Sequence, residues 1–487
     1  MKQTVSRRRF LGEACRCGAA VVAGGAALSI SGCGQTVESE QSTIARVENV
    51  HRRLGGLPDN PVAVAQTERS LMYPPIGNPS DYDRGNNPCY PLVEEALMLL
   101  NPADLANPLG NVVRPGDVVV IKPNWCTQYI FPIPITHPSL VHAVVELAAR
   151  AGAAKVRIVE APMTMTYAAT WFYGRSFLNM ASWLEHLARK HPETVFEHQD
   201  GNADDFTWVF LDDRSLLKDI PREGLCHDSG PVKDDMFYDV PDSQGFDPRG
   251  YRHGLYAIAN SYLDCDVFIN LPKMKTHAWT GVTLALKNMM GLNLMSTLFR
   301  MPPDRMEEHL ASKDLSKIRE CGMRDVPHFD SRYVTIERRS EAAPANDVLW
   351  RSLADLNRII LYCDRQGRLQ PTPQRRRLNV VDGIIGTEGD GPITDSRVYS
   401  RTIVAGVDPV RVDAVCARVM GYDPESVPLI VNSGGLASGP AFGQLEDYGE
   451  SIVCAAGAGT LPRVHPYAPP VIWRSSNKLQ PYRATGS

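Results

Sequence analysis

Between Val267 and Pro303 the chain contains no aspartate or glutamate, although "PKMKTHAWTGVTLALKNMMGL" (residues 272–292) holds Lys273, Lys275, His277 and Lys287 in largely apolar surroundings. A buried ammonium without a partner is costly enough to shed its proton. The answering anion must therefore come from elsewhere in the chain or from a ligand. Other absences narrow the function class. With a formal charge of -4 there is no global basic excess, which excludes a broad nucleic-acid footprint and makes any cationic site local. Beyond Cys33 no two cysteines stand as C-x-x-C, so cluster and zinc spacings are missing. There is no calcium loop of the D-x-D-x-D-G type, no P-loop, no G-x-S-x-G elbow and no H-E-x-x-H pair. Past residue 33 no apolar run reaches the length of a membrane helix.

What is present is a chain of 487 residues, 43% hydrophobic and 22% charged, long enough for one large or two ordinary folded domains. Its first residues stand apart. "SRRRFL" followed by "GAAVVAGGAALSI" resembles a twin-arginine export signal, and residues 1–33 are set aside from the fold on that ground. Ile30-Ser31-Gly32-Cys33 resembles a lipoprotein box, with simple signal cleavage as the alternative. The expected location is therefore extracytoplasmic: periplasmic, or anchored through a lipid on Cys33. The partners implied are the export machinery and a small ligand. Residues 34–60 read as a polar tether, 61–455 as an α/β body and 456–487 as a tail, with loop-rich insertions at about 163–264 and 296–346.

Within the body, "RPGDVVVIKPNW" reads as turn, strand and polar end. "THPSLVHAVVELAARAGA" reads as a helix opened by Pro138 and stopped by Gly152, and "KVRIVEA" as the next strand. Strand, helix and strand in short succession predict a mostly parallel central sheet with helices on both faces. The polar residues repeat one position. Lys122 and Asn124 follow "VVVI", Glu160 follows "VRIV", Lys273, Lys275 and His277 follow "VFINL", Asp382 follows "NVV" and Asp408 follows "TIVAGV". In an open parallel sheet the strand C-termini share one edge, where such folds bind ligands, so a single site is expected there. Lys122, Lys275 and Lys287 are expected to face Asp382 and Asp408 across it. In "DGIIGTEGDGP", glycines surround Asp382, Glu388 and Asp390; with Asp408 these form the candidate set for a divalent metal.

These residues together resemble the domain of unknown function family 362 (DUF362), through "VVIKPNW", "CDVFINLPKMKTH", "GVTLALKNMMGL", "VVDGIIGTEGDGP" and "AGVDPVRVDAVCARVMG", over about residues 61–448. The resemblance implies a scaffold rather than a reaction. Some members of the family carry a ferredoxin-type segment. This chain lacks the C-x-x-C-x-x-C run, so no iron–sulfur cluster is expected in it. The functional expectation is an enzyme acting on a small phosphate or carboxylate. Lys275, His277, Lys287 and His137 are the catalytic candidates, and Lys122, Asn124, Lys273 and Asn288 the substrate-binding ones. A non-catalytic binding or accessory protein and a redox metalloprotein are the alternatives.

Overall fold

Short runs of β-branched residues supply most of the strands, because such side chains pack well on a pleated surface. The computed structural model describes residues 37–126, 134–162, 179–217, 255–293, 347–434, 442–460 and 462–475. Its strands are β1 (Val62–Gln66), β2 (Val118–Pro123), β3 (Lys155–Glu160), β4 (Val195–Asp200), β5 (Phe206–Phe210), β6 (Leu255–Ala259), β7 (Val267–Leu271), β8 (Lys273–His277), β9 (Gly281–Thr283), β10 (Arg376–Thr387), β11 (Arg397–Val398), β12 (Thr402–Gly406), β13 (Ile452–Cys454) and β14 (Gly457–Ala458). Twelve of them form one sheet with the path β14-β13-β1-β12-β10-β7-β2-β3-β4, and β5 and β6 pair separately. From β10 to β4 the pairing is parallel throughout. β12 runs antiparallel to both β10 and β1, so the sheet is mixed and mostly parallel.

Successive residues point to opposite faces, and each face has its own core. Val62, Val120, Phe268, Val381 and Val404 pack with the helices Asp347–Tyr362 and Pro409–Val419 on one side. Ala63, Ile121, Ile269, Val380 and Ile403 pack with Tyr90–Met98, Pro138–Arg150 and Met180–Lys190 on the other. The α/β class and the double covering are as expected from the alternation of elements. Among the described residues no helix is long and apolar enough to cross a membrane.

Three segments differ from the sequence expectation. Residues 34–60 contain the helix Glu40–Leu54, capped by the Ser39 side chain and ended by Gly55 at φ 69. Only Thr43, Val47 and Val50 of this helix are buried, a stripe too narrow to stand out in a polar stretch. Within the expected insertion, β4 extends the main sheet beside β3, while β5 pairs only with β6. The tail returns to the body, with Tyr467 and Trp473 buried. The expected insertion at 296–346 and the expected export signal at 1–33 lie outside the described residues.

Candidate functional site

β7 and β8 run along β10 one after the other, interrupted at Pro272. In β8, "KMKTH", the period of two puts Lys273, Lys275 and His277 on one face, and all three are buried. Lys273 Nζ lies 2.9 Å from Asp382 Oδ2 and 2.8 Å from the Tyr73 hydroxyl oxygen. Tyr73 donates to Asp382 Oδ1 at 2.5 Å, and the His137 backbone N–H donates to Oδ2 at 3.0 Å. Burial lowers the Lys273 pKa, opposed by Asp382 beside it. Burial and the same carboxylate push the Tyr73 phenol well up, so it stays neutral.

His137 caps the helix Pro138–Arg150 and stacks on Tyr73 with ring centroids 4.0 Å apart. Burial, reinforced by Lys273, lowers its pKa well below the usual imidazole range. The Ser139 backbone N–H donates to His137 Nδ1 at 3.2 Å, which leaves the proton of the neutral ring on Nε2. His277 has the same arrangement, its Nδ1 accepting from Trp279 N–H at 3.0 Å.

The other two strand-end lysines differ. Lys122 Nζ meets both Glu160 oxygens at 2.9 Å, and Glu160 also accepts from the N–H groups of Trp125 and Ala161. Lys275 Nζ donates to Pro134 O at 2.7 Å and Asn124 Oδ1 at 2.9 Å, with Cys126 Sγ at 3.6 Å. No carboxylate lies within ion-pair distance of it among the described residues. Burial lowers its pKa. Asn124 passes the network on to Asn288 at 2.8 Å, Asn288 to Asn270 at 2.7 Å and Asn270 to Asn379 at 3.0 Å, a ladder of buried amides beneath the lysines. Lys287 is buried in the short helix Ala285–Asn288, whose first N–H groups, those of Ala285 and Leu286, donate to Asp413 at 2.7 and 3.0 Å.

Asn124, Lys275 and Asn288 thus share one side-chain network, which Lys122 meets through its backbone carbonyl, accepting from Asn288 Nδ2 at 3.5 Å; Lys273 of β8, Asp382 of β10 and His137 at the helix start form a second. The expected pairing across the edge is corrected in detail: Asp382 answers Lys273, and Lys122 is answered by Glu160. Asp408 is at the other edge. β12 is antiparallel, and its last residue, Gly406, pairs with Asn379 near the start of β10. There Asp408 caps the helix Pro409–Val419, accepting from Val410, Arg411 and Gln444 N–H groups.

The expected metal set does not converge, since Asp408 lies apart from Asp382. Glu388 and Asp390 are taken up by the tail, accepting from the backbone N–H groups of Ala468 and Val471. Among the described residues the geometry that gathers three possible ligands is elsewhere. An apolar cavity of about 220 Å³ lined by Pro61, Leu97, Leu109, Leu378 and Val407 lies near Asp408, away from the lysines. Sequence reasoning missed Tyr73, Asn270, Asn379 and Cys126. Asn270 had a visible signal, a polar residue inside the buried run "VFINL"; Tyr73 had none, because its role depends on which loop crosses the strand ends.

A thylakoid-associated protein of Synechocystis sp. is 22% identical over 369 residues, 72% of this chain and 79% of that protein. A crystal structure of a Thermotoga maritima protein aligns with a TM-score of 0.32 and 11% identity, over 68% of this chain and 58% of the other, so the chain spans under two thirds of that protein. A family model covers β6 to β12, and with them Lys273, Lys275, His277, Lys287 and Asp382, but not the segments that bring Tyr73, Lys122, Asn124 and His137. Residues 232–418 match the family model of DUF362, a domain of unknown function.

Proposed function

We propose that the chain is an enzyme acting on a small anionic molecule, a phosphate ester or a carboxylate, at the strand-end edge of β2, β8 and β10. Lys275 carries the reading. It is a fully buried amine whose partners are two neutral oxygens and a thiol, while its neighbours Lys122 and Lys273 each rest on a carboxylate. An ammonium held only by dipoles keeps a positive potential that an anion can neutralise. Its lowered pKa brings proton exchange closer to neutrality, which suits a group that gives or takes a proton at a bound substrate. Asn124 orients the amine, and His137 offers a neutral imidazole with its proton on Nε2. His277 and Lys287 are further candidates for the same substrate. The extracytoplasmic location belongs to the same proposal, resting on the arginine pair in residues 1–33.

Panels of phosphate monoesters and small carboxylates, screened by thermal shift and by turnover, test it. At least one compound should stabilise the wild-type protein and lose that effect in Lys275→Met, which keeps the stem's volume and removes the amine. Equal stabilisation of both proteins would remove Lys275 from the site. Binding without turnover would make the chain a binding or accessory protein.

A further inference from the structure

Lys275 has a neighbour on each side whose hydroxyl the amide network does not use. Across the sheet it pairs with Thr387 of β10 on one side and with Thr283 of β9 on the other. Directly paired residues point to the same face. Their chain neighbours confirm the placement. Met274 and Val282 belong to the core on the opposite face, and a side chain at Gly386 would run into Tyr467 of that same core. Thr283, Lys275 and Thr387 therefore stand in one row, on the face that carries Lys273.

Both threonines are buried, Thr283 at 3% exposure and Thr387 at 0%. Among the described residues neither hydroxyl oxygen has a hydrogen-bond partner. Buried hydroxyls are ordinarily paired, because one taken out of water and left unbonded is costly. Two such atoms on either side of one buried amine point to a group that the chain itself does not supply. The ammonium is the charged centre of the row. Its contacts with Pro134 O at 2.7 Å and Asn124 Oδ1 at 2.9 Å are short, but Cys126 Sγ at 3.6 Å is a weak acceptor that a charged oxygen can displace.

Spacing narrows the ligand. Adjacent strands lie ~4.8 Å apart, which sets the two threonines ~10 Å from each other with Lys275 between them. Hydroxyls bonding inward at ~2.7 Å leave about 4–5 Å between the atoms they meet. That is wider than the oxygens of one carboxylate or one phosphoryl group. The outer oxygens of a diphosphate span it, and so do the ends of a short dicarboxylate. Only the diphosphate also carries negative charge along its middle, whereas a dicarboxylate would set methylene groups against the one desolvated charge of the row. We propose, on the footing that Lys275 meets the substrate anion, that Thr283, Lys275 and Thr387 form the anion-binding row of the strand-end site and that the group it takes is a diphosphate, held by a hydroxyl at each end and the ammonium between.

Calorimetric titration of the full chain with inorganic diphosphate, orthophosphate and succinate tests this, alongside urea unfolding. The expected result is one equivalent of diphosphate, bound more tightly than either other anion. In the Thr283→Val/Thr387→Val variant its affinity should fall about tenfold or more, since a hydrogen bond to a charged group is worth about that factor. Valine keeps the shape and removes the unpaired hydroxyls, so that variant should unfold at the same or a higher urea concentration than wild type, which threonines with a structural bonding role would not allow. Thr283→Ser/Thr387→Ser, which restores the hydroxyls, should recover the binding. Absence of diphosphate binding, or equal affinity in the valine variant, would leave the hydroxyls to water and overturn the row; tighter binding of succinate or orthophosphate would overturn the diphosphate class. If Lys275→Met still abolishes binding of one of these anions in those cases, the reading of Lys275 stands and only this inference falls. Anion binding that survives Lys275→Met removes both.

Discussion

Lys273 and Lys275 stand two residues apart on one face of β8, yet one rests on Asp382 and the other on two neutral oxygens and a thiol. Removing either amine should therefore have different costs. Lys273→Met strands a fully buried carboxylate and should destabilise the protein by about 3–5 kcal/mol. Lys275→Met removes a desolvated amine without leaving a charge behind and should change stability by about 1–2 kcal/mol at most, in either direction. Urea unfolding of the two variants reads the difference directly; equal losses would mean that Lys275 has an ionic partner. The sequence placed these lysines in apolar surroundings and acidic residues after other strands. It did not show which carboxylate meets which lysine, because partners 38 residues apart (Lys122 and Glu160) and 109 apart (Lys273 and Asp382) are chosen by strand order.

The short helix Ala285–Asn288 begins on the Asp413 carboxylate, which lies in the facing helix Pro409–Val419. Burial, opposed by those two N–H bonds and by Arg377, pushes Asp413 up to about 7. In the unfolded chain it ionises near pH 4, while in the folded protein it keeps its proton until about 7. Between those values the folded state binds more protons, so stability should fall as pH rises through the window and level off above it, by at most about 1.4 kcal/mol per pH unit. Asp413→Asn retains an acceptor for the N–H groups and should flatten that stretch of the stability profile. An unaltered slope in the variant would assign the dependence to another group. At this scale the sequence was partly legible. Pro138 and Gly152 bound their helix as expected, and Gly152 has φ 94 against Pro115. The "TLALKNMMG" helix shrank to four residues followed by a 3-10 turn, Met289–Leu292. Glu40–Leu54 escaped notice because a helix on the outside of a body needs only a few apolar contacts.

For the whole molecule, the expectation that matters most for function is export. Because the pathway reads the arginine pair rather than its charge, replacing Arg7 and Arg8 by Lys should leave the precursor in the cytoplasm, as fractionation and immunoblotting would show; normal export of that variant would reject the signal. The sequence by itself determined the α/β class, the two-sided burial of the strands and the placing of polar residues at strand ends, since these follow from periodicities of two and 3.6 residues and from turn chemistry. Only the tertiary structure decided strand direction and order. Periodicity is the same for a strand running up or down, so nothing local revealed that β12 is antiparallel and carries Asp408 to the far edge.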